Sequence, residues 1–346
     1  MLIRQLWPVK QLGILGLRSL SRANMWPALT TLSGSSLRVL MYHRVCDPEA
    51  PGFFGMKSVV SARPRDFAAQ MNYLCKNYNL VSLEECLAWT YEAQPLPPRA
   101  LLITFDDGYR DNLTHALPIL AARKIPFVLF AATGYLDDER VFFWDWVAEA
   151  FRHSAVKSAK LPKLGNRSWD AGNYEAVAGE WVLAVAPLDE SSRSTAIAEL
   201  SQILKYEVFH RPPAGTHLSW SDLEEMIRNG CTIGAHTVSH QMMVGLELEK
   251  AAQEVAFSKS SLERKLGVPV LSFAFPYGRK TDYDTAYLSV LRQSGIKIAF
   301  RSTGAINFAS GARRNPLEIR RGGVGLCSRL EDVAAQAAGA SRLWDH

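Results

Sequence analysis

Two adjacent carboxylates, Asp106 and Asp107, follow the apolar run Ala100-Leu101-Leu102-Ile103 in a chain of 346 residues. Such a run reads as a buried parallel strand. Ionised carboxylates at its end are costly to desolvate unless a cation or a proton partner compensates them. If the strand continues through the pair, neighbouring side chains point in different directions. One Asp could then bind a metal while the other faces a bound water, although Asp106-Asp107-Gly108 also suits a plain turn. Farther on, His236-Thr237-Val238-Ser239-His240 sets two imidazoles four residues apart, on one face if the segment is a helical turn. Two His and one Asp are a common first-row metal set with positions left open for water and substrate. Each pair alone is a weak signal; together they explain one another through a single divalent cation.

Both pairs need strands to deliver them. Leu37 to Tyr42 reads as a first strand that ends in His43, Ala100 to Phe105 as the strand before the Asp pair, and Phe127 to Ala131 as another. Thr232 to Ala235 leads into His236, Leu271 to Phe275 into Pro276-Tyr277-Gly278, Lys297 to Phe300 is a further strand, and Glu318-Ile319-Arg320 is the last. Helical patterns alternate with them. Pro64 to Asn77 carries Phe67, Met71 and Leu74 on one face. Ser82 with Glu85 is a capping box for a helix through Trp89, and Ser221 with Glu224 is read as another. Asp111 to Lys124 reads as helical with a kink at Pro118, and a long helix covers Glu247 to Leu266.

Strand alternating with helix argues an α/β fold with parallel pairing. The polar clusters follow strands, as they do where strand ends converge on one face of a barrel or an open sheet. Residues 1–36 are read as an N-terminal arm, 37–324 as one catalytic domain interrupted by an insertion at 137–216, and 325–346 as a C-terminal helix. The insertion contains Trp144, Asp145 and Trp146 and one clear amphipathic helix around Ile197 to Leu204; it reads as a lid or subdomain. The aromatic cluster suits either a sugar-stacking floor or internal packing.

Lys and Arg are scattered without an aromatic-interleaved basic run, which argues against nucleic acid as a partner. Five widely spaced Cys with no C-x-x-C pair fit reduced structural cysteines. The short apolar piece Leu12 to Leu17 is interrupted by Arg18 and is too short to span a bilayer. The arm reads either as a partly helical extension or as a basic amphipathic segment on the inner membrane face. The expected location is cytoplasmic, peripheral to the inner membrane in the second case.

Three ordered motifs, Thr104-Phe105-Asp106-Asp107-Gly108-Tyr109, His236-Thr237-Val238-Ser239-His240 and Phe273-Ala274-Phe275-Pro276-Tyr277-Gly278, resemble carbohydrate esterase family 4, the polysaccharide deacetylases with a nodulation-deacetylase homology domain. The likeness spans Leu37 to Val324 apart from the insertion. It implies a distorted (β/α) barrel of TIM-like type and metal-dependent removal of acetyl groups from sugars. By position, the resemblance makes Asp107, His236 and His240 the metal ligands, Asp106 the general base, and the turn at Pro276 and Tyr277 the oxyanion site. The cofactor it implies is a divalent cation, Zn2+ foremost, with Co2+, Ni2+ or Fe2+ also suited to such donors. The late Leu-x-His acid of many members is missing, since the only His after His240 is His346. Leu40-Met41-Tyr42-His43 is similar to the biofilm poly-N-acetylglucosamine deacetylases, in which the early His is taken as the acid, so His43 is expected in that role. The Arg that many members carry before Pro-Tyr is also missing, and Arg320 or Arg321 is the expected substitute.

The expected partner is an N-acetylated oligo- or polysaccharide, and the expected reaction is removal of N-acetyl groups from amino sugars of a bacterial exopolysaccharide or its precursor. A deformylase or deacetylase of a lipid-linked sugar is the nearer rival, and a carbohydrate-binding pseudoenzyme the more distant one. A non-haem iron oxygenase would have no use for the second Asp.

Overall fold

A computed structural model of the chain describes residues 36–339. The arm expected at 1–36 lies outside these residues except for Ser36, which already opens a strand. Seven parallel strands close into a barrel: β1 (Ser36–Tyr42), β2 (Ala100–Asp107), β3 (Phe127–Ala131), β4 (Cys231–Ala235), β5 (Ser272–Ala274), β6 (Ile298–Ser302) and β7 (Ile319–Gly323). Closure occurs at β1, which pairs with β2 on one side and β7 on the other. Ile306–Phe308 adds an antiparallel strand beside the start of β1, and Asn79–Leu80 a short parallel one beside β2.

The two-residue period of the strands sorts their side chains. Leu102, Val128, Phe130, Ala274, Phe300 and Ile319 meet in one apolar cluster within the ring. Leu101, Ile103, Phe105 and Leu129 alternate with them and pack outward against helix α1 (Pro64–Asn77), whose Phe67, Met71 and Leu74 are buried as the pattern predicts. Trp89 of helix α2 (Leu83–Tyr91), started by the expected Ser82–Glu85 capping box, joins the inner cluster.

The insertion is more structured than its sequence shows. Helices α3 (Phe143–His153), α4 (Tyr174–Val185) and α5 (Glu190–Leu204), with the hairpin Ser158–Leu161 and Gly165–Ser168, enclose a second core. Trp146, Phe151, Trp169, Trp181 and Leu200 fill it. Helices α3 and α4 start without a side-chain cap, at Phe142 and Asn173, whereas α5, the helix visible in the sequence, is capped by Asp189.

Two helix boundaries differ from expectation. Helix α6 (Trp220–Arg228) is capped by Ser219, whose hydroxyl accepts from Asp222 N while Asp222 returns the bond, so Ser221 lies inside the first turn. Between Asp111 and Lys124 the chain makes a π-turn at Asn112–Ala116 and then a short α-helix, Leu117–Ala121, with Pro118 in its first turn where the missing N–H costs nothing. Helix α7 (Leu248–Leu266) ends on left-handed Gly267. A helix at Leu330–Ala337 falls within the expected 325–346. All five cysteines are free, and no helix among the described residues is long and apolar enough to cross a membrane.

Candidate metal centre and hydrolytic site

The Asp pair completes β2, and its two carboxylates part company there. Asp106 shares the inward parity of Leu102 and Thr104. Arg321 shares that of Ile319 on β7, and the two charges meet inside the ring through Arg321 Nη1 to Asp106 Oδ1 at 2.7 Å and Nη2 to Oδ2 at 2.6 Å. Neither residue exceeds 3% exposure. Arg321 also donates to Thr104 Oγ1 at 3.2 Å and lies 5.3 Å over the Phe130 ring. Burial pushes the Asp106 carboxyl up, but Arg321, with His236 and His43, outweighs it and holds the group below its ordinary value. Arg320, named beside Arg321 as the substitute for the missing Arg, is exposed and faces away. The structure corrects that choice by strand parity, since one residue of register exchanges the faces.

Asp107 instead turns toward the histidines. Its Oδ1 lies 3.6 Å from His236 Nε2 and 3.2 Å from His240 Nε2, and the ligand atoms of the three buried residues all fall within 4.8 Å of one another. His236 Nδ1 is bonded to the Ala274 carbonyl at 2.8 Å. A carbonyl can only accept, so Nδ1 carries the proton and the Nε2 lone pair faces the carboxylate. Burial lowers the His240 pKa against the pull of Asp107, favouring its neutral form. Burial would raise that of Asp107, but the imidazoles of His236 and His240 beside it outweigh burial and hold the carboxyl well down. Asp107 Oδ1 is buried without a hydrogen-bond partner. An ionised carboxylate and neutral imidazoles aimed at one point are the protonation states a divalent cation requires, so the residues present fit a metal.

The histidines are not on a helical turn. Their segment is an irregular loop after β4, with Thr237 and His240 at φ 64° and 52°. Asp107 and Tyr277 also have positive φ, 78° and 61°, conformations that cost on the order of 1–3 kcal/mol each in non-glycine residues. The loop is held by Glu254 of α7, which accepts from Val238 N, Ser239 N and the Ser239 hydroxyl, and by Thr237 Oγ1, which accepts from His240 N. Gly134 runs beneath it, donating to Val238 O at 2.9 Å; a Cβ at Gly134 would lie 2.6 Å from that oxygen. Nothing in the H-x-x-x-H spacing announces Glu254.

One cavity of about 230 Å³ is lined by His43, Asp106, Asp107, His236, His240 and Tyr277. His43 stands on its rim, its backbone fixed by Ser61 and Asn112. The Tyr277 ring sits 5.5 Å from His240, and Ser302 anchors its carbonyl. Pro276, expected at the site, is buried but does not line the cavity; it shapes the turn, and Phe275 takes the wall position.

Trp144 also lines the cavity and meets His240 edge-on at 4.8 Å, whereas Trp146 belongs to the core of the insertion. A chain of hydrogen bonds sets the Trp144 ring: Trp144 Nε1 donates to Tyr109 Oη, Tyr109 Oη donates to Asp145 Oδ2, and Met56 N donates to Asp145 Oδ1. The insertion thereby furnishes one wall of the site. Tyr109 is the link, and no pattern of residues pairs it with Trp144 in advance.

Comparison with known proteins places this geometry in a family. A family model described as polysaccharide deacetylase matches residues 93–299. The poly-beta-1,6-N-acetyl-D-glucosamine N-deacetylase of Escherichia coli (strain K12) is 28% identical over 142 residues, 38% of this chain and 20% of the relative. The chain thus spans about a fifth of the curated relatives it matches. Among solved structures, a Streptococcus pyogenes deacetylase, PplD, in complex with acetate aligns with TM-score 0.57 at 16% identity over 87% of this chain and 98% of the other. IcaB from Ammonifex degensii aligns with TM-score 0.55 at 21% identity, over 89% and 99%. At those identities the structural likeness concerns the fold.

Proposed function

The chain belongs to the polysaccharide deacetylase family, and from that premise we propose that it is a metal-dependent hydrolase removing N-acetyl groups from amino sugars of a bacterial exopolysaccharide or its precursor. The observation that carries the reading is the split within the Asp pair: Asp106 clamped by Arg321, Asp107 offering an unbonded oxygen beside two imidazoles. Asp107, His236 and His240 are the residues that would hold the cation. Zn2+ suits them best, and Co2+, Ni2+ and Fe2+ suit the same donors. When bound, such a cation acidifies water and polarises an acyl carbonyl.

The remaining work falls to side chains. Asp106 takes the proton of the attacking water. Arg321 lowers its basicity but fixes both oxygens, trading proton affinity for orientation and for a base that stays ionised throughout the neutral range. His43, across the cavity, delivers a proton to the departing amine. The Tyr277 backbone N–H is assigned to the developing oxyanion, and Trp144 holds the sugar side of the cavity apolar.

The test is release of acetate from N-acetylglucosamine oligomers by the full chain, with loss on chelation and recovery on adding back Zn2+. Asp106→Asn should bind Zn2+ and lose turnover; surviving activity would remove Asp106 as the base. Formate release from formylated amino sugars, without acetate release, would move the assignment to the deformylase. Binding without turnover under every metal would leave a pseudoenzyme.

A further inference from the structure

The insertion contains a second cavity, of about 620 Å³, that the hydrolytic site does not use. Its walls are largely aromatic and aliphatic, including Tyr135, Phe143, Trp146, Ile197 and Phe209, and Arg193 from the first turns of α5 opens onto it. Arg193 is only 7% exposed, and its Nη1 is buried without a hydrogen-bond partner. The guanidinium lies 4.9 Å over the Phe143 ring centroid. The acids on the same wall are engaged elsewhere: Glu139 pairs with Arg211 at 2.8 Å and Glu190 approaches Arg140 at 3.8 Å. A guanidinium cannot shed its charge by deprotonating, so a buried one with no carboxylate partner among the described residues is a site awaiting an anion.

Three stacked rings lie between this cavity and the hydrolytic one. Tyr135, on its wall, stacks on Phe142 at 3.8 Å, and Phe142 stacks on Trp144 at 4.4 Å, which lines the hydrolytic cavity. Arg193 also acts electrostatically on Tyr277. An amphipathic pocket with flat aromatic walls suits a pyranose ring, and a forked cation suits a carboxylate or a phosphate.

We propose that this cavity is a subsite for an anionic substituent, a carboxylate or a phosphate ester, carried by the saccharide substrate, with Arg193 as its recognition residue. The proposal rests on the deacetylase reading for the identity of the ligand as a substrate but not for the anion site itself. Two readouts separate them. In the first, calorimetry on the metal-stripped full chain measures binding of glucuronate, glucose 1-phosphate and glucose. Both acids, or one of them, should bind at least tenfold more tightly than glucose, and Arg193→Met should erase the difference while Arg193→Lys keeps part of it. Preference for glucuronate would identify an acidic sugar, and preference for glucose 1-phosphate a phosphate-bearing one. Equal binding of all three by the wild type, or an undiminished preference in a folded Arg193→Met protein, would overturn the proposal; if that variant does not fold, a preference reduced in Arg193→Lys supports it and an undiminished one overturns it. The second readout compares acetate release from neutral N-acetylglucosamine oligomers and from the same oligomers bearing one acidic residue. A lower KM for the acidic oligomers is expected, with their advantage shrinking at least tenfold in Arg193→Lys. Anion binding without acetate release would sink the deacetylase reading and leave the site; acetate release without anion preference would do the reverse.

Discussion

Arg321→Met tests the claim that the Asp106 carboxylate is held in the barrel by one guanidinium. In the wild type both groups are nearly solvent-free and joined by two short bonds. Removing Arg321 strands an ionised carboxylate and should cost on the order of 3–5 kcal/mol, with roughly 0.5–1 kcal/mol more from the lost contact over Phe130. Asp106→Asn leaves Arg321 facing a neutral amide and should cost on the order of 1–3 kcal/mol. The double variant removes both charges and puts an apolar side chain beside Phe130, but leaves one buried amide, and should cost on the order of 1–3 kcal/mol. Its stability should therefore exceed that of Arg321→Met alone, and with single losses that add to about 4.5–9 kcal/mol the coupling should be about 3–6 kcal/mol. Urea unfolding of the wild type and the three variants, all stripped with chelator, closes the cycle and keeps metal binding out of the comparison. Additive losses, within about 0.5 kcal/mol, would refute the reasoning. In assays on the same set, Arg321→Lys keeps the charge without the fork and should lose kcat by roughly a hundredfold, the cost of a base displaced by about 1 Å.

Adding Zn2+ to the stripped protein at about a hundred times its Kd should raise unfolding stability by about 2.7 kcal/mol; His240→Ala should abolish that gain, and an unchanged gain would remove His240 from the ligand set. His43→Ala should lower kcat roughly a hundredfold with little change in KM, as for loss of a general acid; a near wild-type rate would end its assignment. Asp145 supplies a pH test: burial pushes its carboxyl up from 3.8 to about 6 despite Arg44 and the bonds from Met56 and Tyr109. The fold favours its neutral form, so its stabilisation is full below the unfolded pKa and is lost as pH rises through about 6. The penalty of Asp145→Asn should thus shrink by on the order of 1 kcal/mol between pH 5 and pH 7.5; a penalty that grows over that range would reverse the sign.

How far these features could be read from residues alone follows from the range of the interactions that create them. The barrel strands announce themselves because a strand covered on both faces is a continuous apolar run, as Ala100 to Ile103 is. The candidate ligands announce themselves because few uses other than a cation justify a buried Asp beside two buried His. Arg320 against Arg321 is a different kind of question. Both residues lie within the same strand, and only the register against β1 and β6 decides which one points inward. The conformation of the His loop is likewise hidden, because Glu254 and Gly134 reach it from other elements.

The insertion shows the same limit and what lies behind it. Its aromatic cluster could floor a site or fill a core, and the structure divides the two tasks between residues two apart in sequence. Trp144 faces the cavity because Tyr109, on the segment after β2, accepts its indole N–H and passes a hydrogen bond to Asp145. Trp146 faces inward because its own N–H reaches the Glu207 carbonyl across the insertion. Asp145 between them is wholly buried, held by Tyr109 and the Met56 amide. A buried aromatic with a polar handle settles where that handle finds a partner. Trp144, edge-on to His240, is stacked on Phe142, and Phe142 on Tyr135 at the wall of the second cavity. The insertion therefore couples whatever occupies the Arg193 cavity to the wall of the hydrolytic site through three packed rings. A ligand that shifts Tyr135 must move Trp144 or open a void between them, so occupancy of one cavity should be felt in the other.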